Sequence, residues 1–198
     1  MGMGHREDLL EGAKRCLLEK GFLRTTARDI VKESGTNLAS IGYHYGSKDA
    51  LLVQAYVSLV EAMGDRFEPG GEGEATKSAP AGSLERFQAV WANIVGAVDE
   101  SRAIWLLSFE LILQGDRMPE VRRMLVDAQE QGRSGLLPLF NDIPEEEQGE
   151  EVIGTEGRLY QTLLQGLMVQ WVFDPDSATD AEQLAEGLRR VIAGAAKS

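Results

Sequence analysis

Apolar positions recur at helical spacing along almost the whole chain. Leu10, Ala13 and Leu17 share one face of a segment from about Glu7 to Lys20, which Gly21 can close through a left-handed cap. Thr26 and Asp29 lie three apart, the spacing of a capping box, and predict a short helix over 27–34 that stops at Gly35. Asn37 is a good N-cap and predicts a third helix reaching about Tyr43. Ser47 caps a fourth, with Leu51, Leu52, Ala55, Tyr56, Leu59 and Met63 leading toward Phe67. Further on, residues 84–98, 101–115, 118–139, 155–173 and 178–196 are long enough to form a five-helix bundle. No segment alternates as a strand would, and neither an internal repeat nor a glycine-rich phosphate loop is present. The predicted class is all-α, with about nine helices.

Two stretches break the helical pattern. Residues 68–83 hold four Gly and two Pro and predict a flexible connector, while the acidic residues 141–151 predict a solvated loop. The composition, 43% hydrophobic and 26% charged over 198 residues, is that of a globular protein. The most apolar segment, 103–113, is interrupted by Ser108 and Glu110 and falls short of the roughly 18 residues of a membrane span. The opening residues lead into no uninterrupted apolar core, so no leader and no membrane partner are expected. A lone cysteine, Cys16, excludes an internal disulfide and a thiolate zinc cluster, and suits a reducing cytoplasm. It reads as a small buried hydrophobe. Two histidines leave little for metal or triad chemistry; no catalytic residue, metal or cofactor is expected.

Charge is unevenly spread. The total is −12, yet residues 1–50 carry eight Lys/Arg against seven Asp/Glu, so the remaining residues account for −13. A phosphate-binding surface therefore fits only near the N-terminus. There, the two short helices joined across Gly35-Thr36-Asn37 have the spacing of a helix-turn-helix, in which a two-turn helix can enter the major groove of DNA.

The run from Lys20 through Thr25-Thr26-Ala27-Arg28-Asp29-Ile30, followed by Ser34-Gly35-Thr36-Asn37-Leu38-Ala39-Ser40-Ile41-Gly42-Tyr43-His44-Tyr45-Gly46-Ser47-Lys48, resembles the DNA-reading region of the tetracycline-repressor (TetR) family of bacterial transcriptional regulators. The resemblance covers roughly residues 6–56. Gly42 departs from it, standing where the family usually has a larger polar or aromatic residue, and Tyr45 replaces a more usual Phe. A second, weaker similarity, to the family's eighth helix, runs from Gln165 to Asp176. The resemblance implies a helix-turn-helix DNA-binding domain at 1–50 and a helical effector-binding and dimerisation domain at 51–198. A linking helix at 47–67 and the connector at 68–83 would join their parts.

It also implies roles. Lys48 is expected to contact phosphate, as are Thr26 and the amides that open the second helix, because helix N-termini favour anions. Tyr43 and His44 can donate to phosphate, and the Tyr43 ring can meet a thymine methyl. Asn37 belongs to the same DNA-binding set as cap of the recognition helix. Arg28, Leu38, Ala39 and Ser40 are the candidates for base edges, and Arg28 has the donor fork suited to guanine. Ile30, Ile41 and Tyr45 are read as core.

The family implies a small-molecule effector, for which Trp91, Trp105, Phe109, Met118, Met124 and Met168 could line an apolar pocket, with Glu110 and Gln165 as its polar groups. Leu163, Leu164, Leu167 and Trp171, with Leu184, Leu188, Val191 and Ile192, form stripes able to pair across a two-fold axis. Since one short helix reads few bases, a homodimer on double-stranded DNA with a palindromic operator is expected. The reading is therefore a ligand-released repressor and not an enzyme. An all-α enzyme, or a regulator-like protein that binds a protein partner, remains the alternative.

Overall fold

The computed structural model describes residues 4–64 and 78–197, apart from the side chains of Asp99, Glu120 and Glu145. Residues 68–77 of the expected connector, and 65–67 at the end of the expected fourth helix, lie outside the described residues. Helices α1 (His5–Lys20), α2 (Ala27–Ser34), α3 (Leu38–Tyr45) and α4 (Lys48–Gly64) come first. They are followed by α5 (Leu84–Gly96), α6 (Val98–Gly115) and α7 (Pro119–Asn141). A 3-10 turn at Glu145–Glu147 leads to the short α8 (Glu150–Val152), a π turn (Ile153–Gly157), α9 (Arg158–Phe173) and α10 (Ala181–Ala195). No strand occurs among the described residues. None of their helices is long and apolar enough to cross a membrane.

The predicted caps form. Thr26 accepts the amide of Asp29 while the Asp29 carboxylate accepts the amide of Thr26, closing the capping box of α2. Asn37 Oδ1 accepts the Ser40 amide at the head of α3, and Ser47 Oγ accepts the Ala50 amide at the head of α4. One expectation fails: the acidic stretch read as a loop over 141–151 already contains a 3-10 turn, and helix resumes at Glu150 rather than near 155. Four glutamates within 145–150 look like a solvated loop by composition, but glutamate has good helix propensity, and Gly149 supplies an extended residue at the N-terminus of α8.

The chain packs as two compact units, residues 1–62 with 103–128, and residues 63–102 with 129–198. These units do not follow the expected division at residue 50, because the stretch running from within α6 into α7 packs with the N-terminal helices. In the first unit, Leu9, Ala13, Cys16 and Leu17 of α1 meet Ile30 of α2, Ile41 of α3 and Leu51, Leu52, Val53 and Ala55 of α4. Leu107, Leu111 and Val121 complete this core. In the second unit, Phe87, Val90, Trp91 and Ile94 of α5 pack with Leu139 and Phe140 of α7, Leu167 of α9, and Ala181 and Ala185 of α10. Its aromatic side chains interlock, with Phe140 and Tyr160 stacked at 3.9 Å between ring centroids.

Two polar arrangements hold the second unit. Arg86 is buried and donates to the Leu139 carbonyl while pairing with Asp142, so α5 is clamped to the end of α7. Pro138 sits inside α7 and has no N–H for the carbonyl of Ser134 four residues back. The side-chain amide of Gln148 supplies the missing donor, at 3.1 Å from that oxygen, and also donates to the Ile143 carbonyl.

Candidate nucleic-acid interface

The surface proposed for DNA is built from the inside of the first unit outward. Ile30 and Ile41 are buried and fix α2 against α3. Ser34 and Thr36 bond hydroxyl to hydroxyl across the turn, and Gly35 takes a left-handed φ of 69° that an L side chain would strain. With the inner faces fixed, Thr26 and Arg28 of α2 and Asn37, Leu38, Ala39, Gly42 and Tyr43 of α3 are left exposed. Tyr43 is 85% and Leu38 52% accessible, far more than a fold would choose for such side chains without a partner. His44 is half-buried and packs edge-on against the Tyr43 ring at 4.8 Å between centroids.

Ser40 departs from expectation, and Lys48 has partners within the chain. Ser40, expected at base edges, is buried, because position 40 lies on the face of α3 that turns inward with Ile41. Lys48, expected to reach phosphate, is half-buried, with Nζ 2.9 Å from Asp49, 3.3 Å from the Thr25 carbonyl and above the Phe22 ring. Tyr45, read as core, is only partly buried: its hydroxyl donates to the Arg6 carbonyl at 2.6 Å, tying α3 to the start of α1. A Phe could not make that bond.

The loop before α2 holds residues that the sequence reading passed over. Thr25 is buried, and its hydroxyl lies 2.7 Å from the Gly21 carbonyl and 3.2 Å from that of Cys16. Glu110 of α6 reaches the same loop, each carboxylate oxygen accepting one amide, from Phe22 and from Leu23, at 2.9 Å. Gly21 has φ 78°, which an L side chain would strain, and a Cβ there would lie 2.8 Å from Glu110 Oε2 and displace that carboxylate. The Lys20 ammonium donates to Asp29 at 2.7 Å, and with the Thr26 bonds it holds the Asp29 carboxyl far below the usual carboxylate range. Burial pushes the Cys16 thiol up, so it stays protonated.

This arrangement agrees with what the chain is similar to. The model of the tetR family of bacterial regulatory proteins matches residues 9–55, spanning α1 to the first half of α4. That of the BetI-type transcriptional repressor C-terminal region matches residues 83–196, more than half of the chain. The chain belongs to the TetR family. The HTH-type transcriptional regulator BetI of Rhizobium meliloti is 30% identical over 135 residues, a match covering 67% of this chain and 62% of that relative. The match spans less than two thirds of the length of the curated BetI relatives. A candidate transcriptional regulator of Streptomyces coelicolor A3(2) shares the fold with a TM-score of 0.68 at 19% identity, over 96% of this chain and 98% of that one. The multidrug binding protein EbrR, solved with proflavin, does so at 0.56 and 22% identity, over 94% and 98%.

The TetR-family comparison leaves the effector and dimer residues to be placed by the structure. Of the eight expected at an effector pocket, Trp105, Phe109, Glu110, Met118 and Met124 fall in the first unit, and Trp91, Gln165 and Met168 in the second. Met118 and Met124 pack on the first unit's core, Gln165 is exposed, and Glu110 is committed to the loop amides. Glu110 was expected as a polar group of the pocket; backbone amides 87 and 88 residues away satisfy it instead.

The residues expected at a dimer seam all lie in the second unit. Leu167 is buried inside the second unit, and Leu163, Leu164, Trp171, Leu184 and Leu188 pack against the same core; only Val191 and Ile192 are exposed. The apolar residues of α9 left exposed are Leu159, Val169 and Phe173. Exposed Thr162 and Gly166 fall on that face at helical spacing.

Proposed function

We propose that this TetR-family regulator is a homodimeric repressor that binds a palindromic operator through α2 and α3 and is released by a small-molecule effector. One observation carries the reading: the fold buries the inner faces of α2 and α3 and leaves Thr26, Arg28, Asn37, Leu38, Ala39 and Tyr43 exposed on a capped helix-turn-helix. The DNA-reading part lies within residues 1–50, and effector and dimer functions lie in 51–198. The BetI-type transcriptional repressor model supports a repressor. The pairing surface is the apolar face of α9 through Leu159, Val169 and Phe173, extended by Val191 and Ile192 of α10. The EbrR complex with proflavin supports a small aromatic molecule as the kind of effector. The protein acts in the cytoplasm, where one cysteine needs no oxidant.

The test is selection of bound duplexes from a random pool by the full-length chain, followed by release with candidate ligands. The expected result is enrichment of a two-fold symmetric sequence. Replacing Lys48 with Ala should weaken binding to all duplexes alike, and a change of base preference at one position would refute its assignment to phosphate. Failure of the wild-type chain to enrich any sequence would overturn the reading.

A further inference from the structure

The exposed face of α3 has an unusual chemistry for a surface meant to read bases. Leu38, Ala39, Gly42 and Tyr43 form it, and the Tyr43 hydroxyl is its one hydrogen-bonding side chain. The other polar side chains of α3 and its cap are buried or in contact within the fold, with the Asn37 side-chain amide N–H groups left as further donors at the head of the helix. Ser40 is buried, Asn37 Oδ1 is used as the cap, the Tyr45 hydroxyl is bonded to Arg6, and His44 is half-buried against Tyr43. In the major groove a side chain without donors or acceptors can distinguish one feature, the C5-methyl of thymine.

Gly42 sharpens the point. A Cβ built at this position meets nothing within 4 Å, and its backbone needs no positive φ, so the fold makes no demand for glycine there. Inside an eight-residue helix glycine only lowers stability relative to alanine. What the missing side chain changes lies on the solvent side, where it lets the α3 backbone come closer to whatever it faces.

On the reading that α3 faces DNA, we propose that Gly42 seats the α3 backbone against the base edges and that Leu38 and Ala39 read thymine methyl groups. α3 is then a methyl reader, and guanine recognition falls to Arg28, the exposed guanidinium of α2. The operator half-site facing α3 is accordingly a run of A·T pairs with thymines on the side of Leu38 and Ala39.

The experiment starts from the duplex that the full-length wild-type chain enriches from a random pool. Each thymine of a half-site is replaced in turn by deoxyuridine, which removes the methyl and keeps the pairing. Two or more replacements should each weaken binding about three- to fivefold, the worth of one buried methyl. Gly42→Ala should raise the melting temperature of the free protein and lower affinity for the selected duplex about tenfold or more. An enriched duplex whose binding ignores every deoxyuridine overturns methyl reading while leaving DNA binding intact. Gly42→Ala with unchanged affinity and selected sequence overturns the close approach. A wild-type chain that enriches nothing overturns the DNA reading itself, and this proposal with it.

Discussion

Glu110 holds the loop before α2 by two charge-assisted bonds, and removing it leaves the Phe22 and Leu23 amides without their acceptor. Glu110→Ala is expected to cost about 2 kcal/mol of unfolding free energy in chemical denaturation, and Glu110→Gln less, since one oxygen still accepts. Asp29 makes a prediction about acid. Its folded carboxyl titrates far below the unfolded one because Lys20 and Thr26 favour the charged form. Its stabilisation is therefore complete above the ordinary carboxylate range and is lost as pH falls through that range toward the folded value. Melting temperature measured from neutral pH downward should decline more steeply for the wild type than for Asp29→Asn. Parallel curves would refute the assignment. These two carboxylates also mark where legibility ends. Asp29 could be read because its partner Thr26 is three residues away and of a type that caps helices. Glu110 could not, because its partners are backbone amides, which carry no residue-type signature, at a separation of more than 80 residues.

Helices were legible where their ends are decided locally, as at Thr26, Gly35, Asn37 and Ser47, and misread where composition argued against periodicity, as at Glu150. Periodicity also does not say which of two apolar faces a helix turns inward. On α9 the stripe through Leu163, Leu167 and Trp171 packs within the unit, and the one through Leu159, Val169 and Phe173 stays exposed. On α7 the proline at 138 reads as a place where a helix should stop. It continues because Gln148, ten residues on, replaces the lost donor. Gln148→Ala should lower stability by about 1 kcal/mol in a urea titration, and Pro138→Ala in that background should recover most of it, since the helix then satisfies Ser134 itself. No recovery would mean that Gln148 acts through some other contact.

At the scale of the whole molecule, the charge of the chain and its apolar surface make separate demands. Phe173 is 79% exposed, and on the proposed pairing through α9 a Phe173→Asp change should shift a dimer to monomer in sedimentation at micromolar concentration, with its helical circular dichroism intact. Persistence of the dimer would move the interface elsewhere. The near-neutral N-terminal quarter predicts a shallow dependence of DNA affinity on salt, the slope of a few phosphates rather than of about ten. Lys48 completes the picture from the other direction. Its ammonium is shared between Asp49 and the Thr25 carbonyl, so an incoming phosphate has to win it from a carboxylate that then faces the duplex with its own charge uncancelled. On the proposed role of Lys48 in holding phosphate, Asp49 would act as a brake on indiscriminate adhesion. Asp49→Asn should tighten binding to unrelated and selected duplexes by a similar factor, leaving a protein that holds DNA more firmly and discriminates no better.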